Sequence, residues 1–482
     1  MYVTGLHLEN FKRFPALDVD LDSKITLLLG PNSSGKSSII KSLLALKQTA
    51  SSSNEHEVLA PQGDYVDLGI YRDYVFEHKT DRKIKIGLSI SSQSLPARFF
   101  QDQNQAYIEF QFGHDFATEQ ARLLEITVKS SASAKNPYIT LIKKQTRDTF
   151  SLKLSEEAAR ATANDLFPRD DSIKSKAILL WTKGRSTRVD EKYKLAIDRV
   201  IQKNEKKFDF FADYPIHILS SILSLIFREL DSNIFYVGPL RRSPSRSYSR
   251  TAHLLAVGAA GEHTPSILAN LKSRASKERS AKREQTTRYT QLARWIESMF
   301  SGRRVDSRSI EELVKLEIER ERGEKEIISD VGFGFSQVLP ILVQIAVMPE
   351  NSTIVIEQPE LHLHPSAQSK LAEIIVEATK TGRRFVVETH SEHLVRGLQL
   401  AISNKKLGRT AMAIGDTEVK FLYTPRAPGK PKEMRVNSVG DFEEPWPSGF
   451  FDEAYTTAMK LLDNKIALTS KAAHAKNSGD NS

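Results

Sequence analysis

Apolar and polar residues alternate through residues 3–29, in stretches such as "ALDVDLDSKITLLLG". That pattern predicts two or three strands, the last of them fully buried. At 36–48, "KSSIIKSLLALKQ" changes to helical spacing. From about 84 to 153 come short alternating runs: "KIKIGLSIS", "AYIEFQFG", "LLEITVKS", "YITLIKK" and "TFSLKLS". Together they predict an antiparallel sheet lobe. Residues 156–230 read as helical and charged, most clearly in "EKYKLAIDRVIQKNEKKFDFF" and "IHILSSILSLIFREL". "NIFYVGPL" (233–240) returns to a strand, and helical spacing then dominates to about 300.

After 313 the order becomes strand, turn, helix (336–347), strand (353–357), helix (366–380), strand (384–388). This rhythm predicts a parallel sheet covered by helices. Residues 411–436 offer two short strands, followed by "GDFEEPWPSGFFDEA" and a last helix; the small, polar tail from 468 predicts disorder. The sheet that begins near residue 3 is thus expected to be completed only after 313. The predicted partition is a head built from 1–75 and 310–440, with an antiparallel lobe at 80–155. A helical, basic insertion at 156–309, a docking segment at 441–467 and a disordered tail at 468–482 make up the rest.

With 482 residues the chain exceeds one compact core, and 40% hydrophobic content suffices for globular folding. No apolar run approaches the eighteen residues a membrane span needs, so no membrane partner is expected. The start "MYVTGLHLENFKRF" lacks signal-peptide character and reads as a strand of the fold. There is no cysteine, which excludes disulfides, thiolate catalysis and Cys-based zinc sites. A cytoplasmic location is the expectation. The net charge is +9, and residues 271–304 alone hold ten Lys/Arg against three Glu. The Lys272–Arg304 excess fits a solvated helix face, or a surface for nucleic acid or an acidic partner.

The candidate chemistry sits on particular turns. "LLLGPNSSGKSS" places Gly30-x4-Gly35-Lys36-Ser37 between a buried strand and a helix. In that context the motif is a phosphate cradle. Backbone N–H groups of Asn32, Ser33, Ser34, Gly35, Lys36, Ser37 and Ser38 would close around phosphate oxygens, aided by the helix dipole. Lys36 would neutralise the β and γ oxygens, and Ser37 would hold Mg²⁺. "STIVIE" ends in Glu357, a carboxylate for the metal side, and "VVETHSEHLV" places His390 where it would sense a γ-phosphate. His362, His364, His390 and His393 do not have zinc-site spacing. "DVGFGFSQVLP" opens a helix with Gly332, Gly334, Ser336 and Gln337. It reads as a second phosphate-binding surface or as an ordinary glycine turn. Arg241, Arg242 and Arg246 would reach phosphate or a partner, or be solvated.

The ordered set "GPNSSGKS", "GFGFSQVLP", "IEQPELHLHP" and "ETHSEH" resembles the ABC-type ATPases of the SMC, RecF and OLD group. "YVGPLRRSPSRSY" and "GDFEEPWPSGFF" look like a subset from bacterial anti-phage modules, such as the ATPase subunit of Septu-like systems, which works with an HNH nuclease. The resemblance implies an α/β fold: a P-loop ABC-type head split between the two ends of the chain, with an inserted β lobe and helical domain. It implies ATP and Mg²⁺ as cofactors and a homodimer, or a higher homo-oligomer, that sandwiches ATP between heads. By that resemblance Lys36 and Ser37 belong to the P-loop, and Gly334, Ser336 and Gln337 to the signature that covers the opposite subunit's ATP. Ser37 and Glu357 would hold the metal, His390 would be the switch histidine, and Gln48 or Gln62 the glutamine that follows the P-loop helix. Gln358 stands where a water-activating glutamate is usual. An amide takes no proton, and loss of a general base costs ~10²–10⁴ in rate. Glu360 is the alternative base if its loop turns towards the γ-phosphate. The expected function is a slow ATP-dependent sensor or scaffold governing a partner nuclease. The alternatives are a RecF-like DNA-repair ATPase and a non-hydrolysing assembly protein. A built-in nuclease is not expected, because "GDTE" (415–418) lacks a second acidic pair on a strand.

Overall fold

The computed structural model describes residues 2–52, 58–91, 105–134, 136–143, 150–167, 170–183, 185–187, 210–251, 254–280, 288–320, 323–410, 412–427 and 429–447, with isolated positions between 457 and 464. Strands β1 (Tyr2–Phe11), β2 (Phe14–Asp20) and β3 (Ile25–Leu29) precede the helix Lys36–Ser51. There follow β4 (Ile84–Ser91), β5 (Gln105–Asp115), β6 (Gln120–Lys129), β7 (Ile139–Lys143), β8 (Phe150–Leu154) and β9 (Arg185–Thr187). After the helix Phe210–Ser232 come β10 (Ile234–Val237), β11 (Tyr248–Ser249), β12 (Arg304–Ile310), β13 (Leu313–Glu319) and β14 (Lys325–Ile327). The chain finishes its sheets with β15 (Thr353–Glu357), β16 (Arg384–Glu388), β17 (Val419–Tyr423) and β18 (Lys432–Glu433).

Three sheets result. One is antiparallel, in the order β2-β1-β4-β5-β6-β7-β8-β9. Its strands alternate because one face is buried: Ile84, Ile86, Leu88 and Ile90 point inward while Lys85 and Ser89 do not. The second runs β10-β15-β16-β3-β17-β18 and is parallel through β17. Its strands read as continuous apolar runs because helices cover both faces. Leu28 faces the core shared with the antiparallel sheet and the helices Lys36–Ser51 and Phe210–Ser232. Leu27 and Leu29 face the opposite core, built with the helices Phe333–Val347, Pro365–Thr379 and Glu392–Lys406. The third sheet, β11-β13-β12 with β14 on β13, packs by Val305, Leu316 and Ile318 into that second core.

Two expectations need correction, and the docking segment gains a contact. β1 and β2 join the antiparallel sheet through β4, so only β3 carries the N-terminal segment into the parallel sheet. Alternation marks a strand but not its sheet. β10, which falls inside the expected helical insertion at 156–309, is the edge of the parallel sheet beside β15. In the docking segment, Phe442 stacks edge-on against Phe421 of β17 and also contacts Trp446, so this stretch contributes to the second core. Most of 448–467, the tail and 191–209 of the first helical run lie outside the described residues.

Four cations of the basic segment are committed to the fold, while the side chains of Lys277, Arg279, Lys282 and Arg283 lie outside the described residues. Lys272 pairs with Asp306, Arg294 with Glu377 and Arg304 with Glu297, while Arg288 donates to the Val347 carbonyl at 2.9 Å. No helix among the described residues is long and apolar enough to cross a membrane.

Candidate nucleotide-binding site

β3 ends at Leu29 and the chain turns into the loop that feeds the helix Lys36–Ser51. Two glycines make that turn. Gly30 has φ 137°, and a Cβ there would collide with the Thr424 carbonyl oxygen. Gly35 has φ 97°, and its Cβ would overlap the Arg13 side chain. Neither position accepts an L side chain without strain. Arg13 closes the loop from outside, donating to the carbonyls of Ser33 (3.0 Å), Arg426 (3.1 Å) and Ala427 (3.1 Å).

Asn32, Ser33, Ser34, Gly35, Lys36, Ser37 and Ser38 all line one cavity of about 1390 Å³. Gln358 and Glu388 line it too. Lys36 is buried, its Nζ donating to the Gly30 and Pro31 carbonyls, both at 2.9 Å. Burial pushes its pKa down. The Ser37 hydroxyl donates to the Glu388 carboxylate at 3.0 and 3.2 Å, and Lys36 Nζ stands 3.8 Å from the same group.

Glu388, and not the expected Glu357, is the carboxylate in contact with Ser37. Glu357 and Glu388 are register partners at the ends of β15 and β16. Glu357 also accepts from the Tyr236 hydroxyl at 2.7 Å and does not line the cavity. The acid beside Ser37 is therefore Glu388. Burial first, and the Glu357 charge second, raise Glu388 to about 7. A hydroxyl and a carboxylate at this spacing are the hard oxygen donors Mg²⁺ takes when it completes its shell with phosphate and water.

Glu360 does not line the cavity. Its carboxylate accepts from the Thr389 hydroxyl (2.8 Å) and the His390 backbone N–H (2.6 Å). Burial keeps its pKa raised. His390 follows directly; its Nε2 is buried without a partner, and burial followed by the Lys36 charge lowers its pKa. Gln358 has φ 45° and its N–H donates to the Glu388 carbonyl at 2.7 Å, so the amide side chain borders the cradle.

Gly334, Ser336 and Gln337 are not brought to the cavity. They lie in the first turns of the helix Phe333–Val347, where the Ser336 hydroxyl donates to the Phe333 carbonyl at 2.9 Å and Gln337 is buried. A Cβ at Gly334 would strike the His362 carbonyl, so this helix tip rests on the 361–365 loop. Among the described residues no cluster of three or more His, Cys, Asp or Glu is grouped for a metal ion.

A family model for AAA ATPase domains matches residues 1–395. The chain belongs to the AAA ATPase domain family. The DNA replication and repair protein RecF of Lactobacillus acidophilus is 30% identical over 70 residues, 14% of this chain and 19% of the relative. RecF of Roseiflexus castenholzii is 41% identical over 51 residues, 11% of this chain and 13% of that one. These matches span less than a fifth of either relative's length. The SMC head domain from Thermotoga maritima superposes with TM-score 0.37 at 10% identity, covering 91% of this chain and all of that one.

In this ATPase domain two residues assigned no role by sequence reasoning have clear places. Glu388 was readable in principle, since "RFVVE" ends in an acid at the end of a parallel strand just as "TIVIE" does. Tyr236 was not, because nothing local links it to Glu357, 121 residues away. Gln48 and Gln62 do not line the cavity. Gln48 makes four hydrogen bonds to the 60–66 loop: its amide donates to Ala60 and Val66 and accepts from Tyr65 and Val66. Of the three arginines, Arg242 is exposed, Arg246 pairs with Asp330 at 3.2 Å, and Arg241 is buried behind Glu357.

Proposed function

We propose that this protein binds Mg–ATP in the Asn32–Ser38 cradle, turns it over slowly, and uses the bound state as a switch. The observation that carries the reading is the arrangement at the cradle: Lys36, Ser37 and Glu388 converge on one cavity while the neutral Gln358 borders it. Lys36 would balance phosphate charge. Ser37 and Glu388 would hold Mg²⁺, which screens the β and γ oxygens when bound. Gln358 would orient water without taking its proton. Gly334, Ser336 and Gln337, standing away from their own cradle, would cover the ATP of a second copy. The ATP state would then control a partner nuclease of the HNH kind in an anti-phage module, a role supported by the motif resemblance alone.

A second reading, a RecF-like DNA-repair ATPase, draws on the short RecF identity. The ion pairs of Lys272, Arg294 and Arg304 weigh against a DNA clamp formed by those three residues.

Calorimetry with Mg–ATP tests the core claim: the wild type should bind and Lys36→Ala should not. Turnover should fall below ordinary enzymatic rates of ~1 s⁻¹ or more. ATP-dependent co-purification with a nuclease encoded next to this gene would support the defence role, and salt-sensitive DNA binding without such a partner would favour the second.

A further inference from the structure

Arg241 is a buried cation outside the cavity and outside every role assigned above. Its origin is fixed. The segment leaving β10 is tied by Gly238 N–H to the Ala259 carbonyl and by Arg242 N–H to the Ala260 carbonyl, both at 2.8 Å. β10 runs parallel to β15, with Val237 opposite Ile356, so Arg241 emerges beside the end of β15. One guanidinium nitrogen, Nη2, donates to two consecutive carbonyls, Glu357 at 2.7 Å and Gln358 at 3.2 Å. Its Nε and Nη1 are buried without a partner.

The backbone it grips is unusual. Gln358 has φ 45°, a conformation L residues adopt at a cost. Strain of this kind persists only where surrounding contacts over-determine it. Here those contacts are few: Gln358 N–H to the Glu388 carbonyl, Leu361 N–H to the Gln358 carbonyl at 3.3 Å, and Arg241. A neutral donor would satisfy two carbonyls more cheaply than a desolvated cation with idle donors. The planar guanidinium offers what a lysine does not, a rigid donor held at a set angle to both carbonyls.

We propose that Arg241 is a positioning residue for the reaction: it fixes the backbone of residue 358 and so sets where that side chain stands relative to the nucleotide. The proposal rests on the reading of the cavity as an ATP site. Displacement of about 1 Å at such a position can cost ~10²-fold in rate without touching affinity.

The test compares wild type, Arg241→Lys and Arg241→Gln, each alone and combined with Gln358→Glu. Mg–ATP affinity is read by calorimetry, single-turnover hydrolysis by phosphate release, and backbone protection of the 358–361 stretch by hydrogen exchange. Expected results are affinity within about threefold of wild type, hydrolysis down at least ~10-fold, and faster exchange confined to 358–361. Whatever rate Gln358→Glu gains should be lost when Arg241→Lys is added. Unchanged exchange at 358–361 overturns the proposal, even in a protein that binds ATP without hydrolysing it. So does a proportional loss of affinity and rate with exchange raised across the whole sheet, which marks a role in folding alone. A wild type that binds no ATP defeats the underlying site reading instead, and calorimetry separates that outcome from the others.

Discussion

Glu357 and Glu388 sit opposite each other on adjacent parallel strands, Glu357 accepting from the Tyr236 hydroxyl and Glu388 from that of Ser37. Two buried carboxylates on facing positions do not both ionise readily; burial raises both, and Glu388 is pushed up to about 7. Glu388 alone borders the cavity. Removing Mg²⁺ with a chelator should weaken ATP binding by the wild type. Glu388→Gln should abolish that Mg²⁺-dependent increment, and Glu357→Gln should leave a part of it. Calorimetry with and without metal reads both. An increment that survives in Glu388→Gln and vanishes in Glu357→Gln would restore Glu357 as the metal acid.

Gln358→Glu should raise turnover by ~10²–10⁴, the usual worth of a general base, with little change in affinity. Steady-state phosphate release is the measurement. No gain would mean residue 358 does not approach the attacking water.

Gln48→Leu should lower stability by about 2–3 kcal/mol, because it strands the Ala60 and Val66 carbonyls and the Tyr65 and Val66 N–H groups. Affinity for ATP per folded molecule should hold. A denaturation series gives the first quantity and calorimetry the second. A selective loss of affinity at unchanged stability would return Gln48 to the nucleotide.

Lys47 gives a pH signature. Its Nζ donates to the Leu230 and Asp231 carbonyls at 3.1 and 2.7 Å, and burial lowers its pKa to about 8 from 10.5. Between those values the unfolded chain keeps a proton the folded one has shed, so stability from this group rises with pH across the window. Below pH 8 both states are charged and the full burial cost stands. Lys47→Met should flatten the stability profile from pH 8 to 10, measured by melting temperature. A slope equal to the wild type's would show that Lys47 does not titrate there.

The linear motifs were legible because their chemistry is local. The cradle Asn32–Ser38 needs only a strand, two glycines and a helix in sequence, and its residues line one cavity. The helix–strand rhythm after 313 was legible for the same reason. What escaped depends on register between distant segments. Nothing in "VVETHSEH" announces that Glu388 lands opposite Glu357, and nothing in "PLRR" separates a buried Arg241 from an exposed Arg242. Glu360 looked available because sequence spacing carries no direction; Thr389 and the His390 N–H already occupy it.

The strand order β10-β15-β16-β3-β17-β18 also governs when the pocket can exist. β3 lies between β16 and β17, and Thr424 N–H binds the Leu29 carbonyl just before the loop turns. A ribosome that has made the first fifty residues has made every P-loop group and Arg13, but not the flanking strands β16 and β17. The phosphate loop must wait for nearly four hundred more residues, a delay that such non-local pairing imposes on folding. A chain stopped short of β16 and β17 would carry the complete motif without Glu388 or the β17 end that its cavity uses.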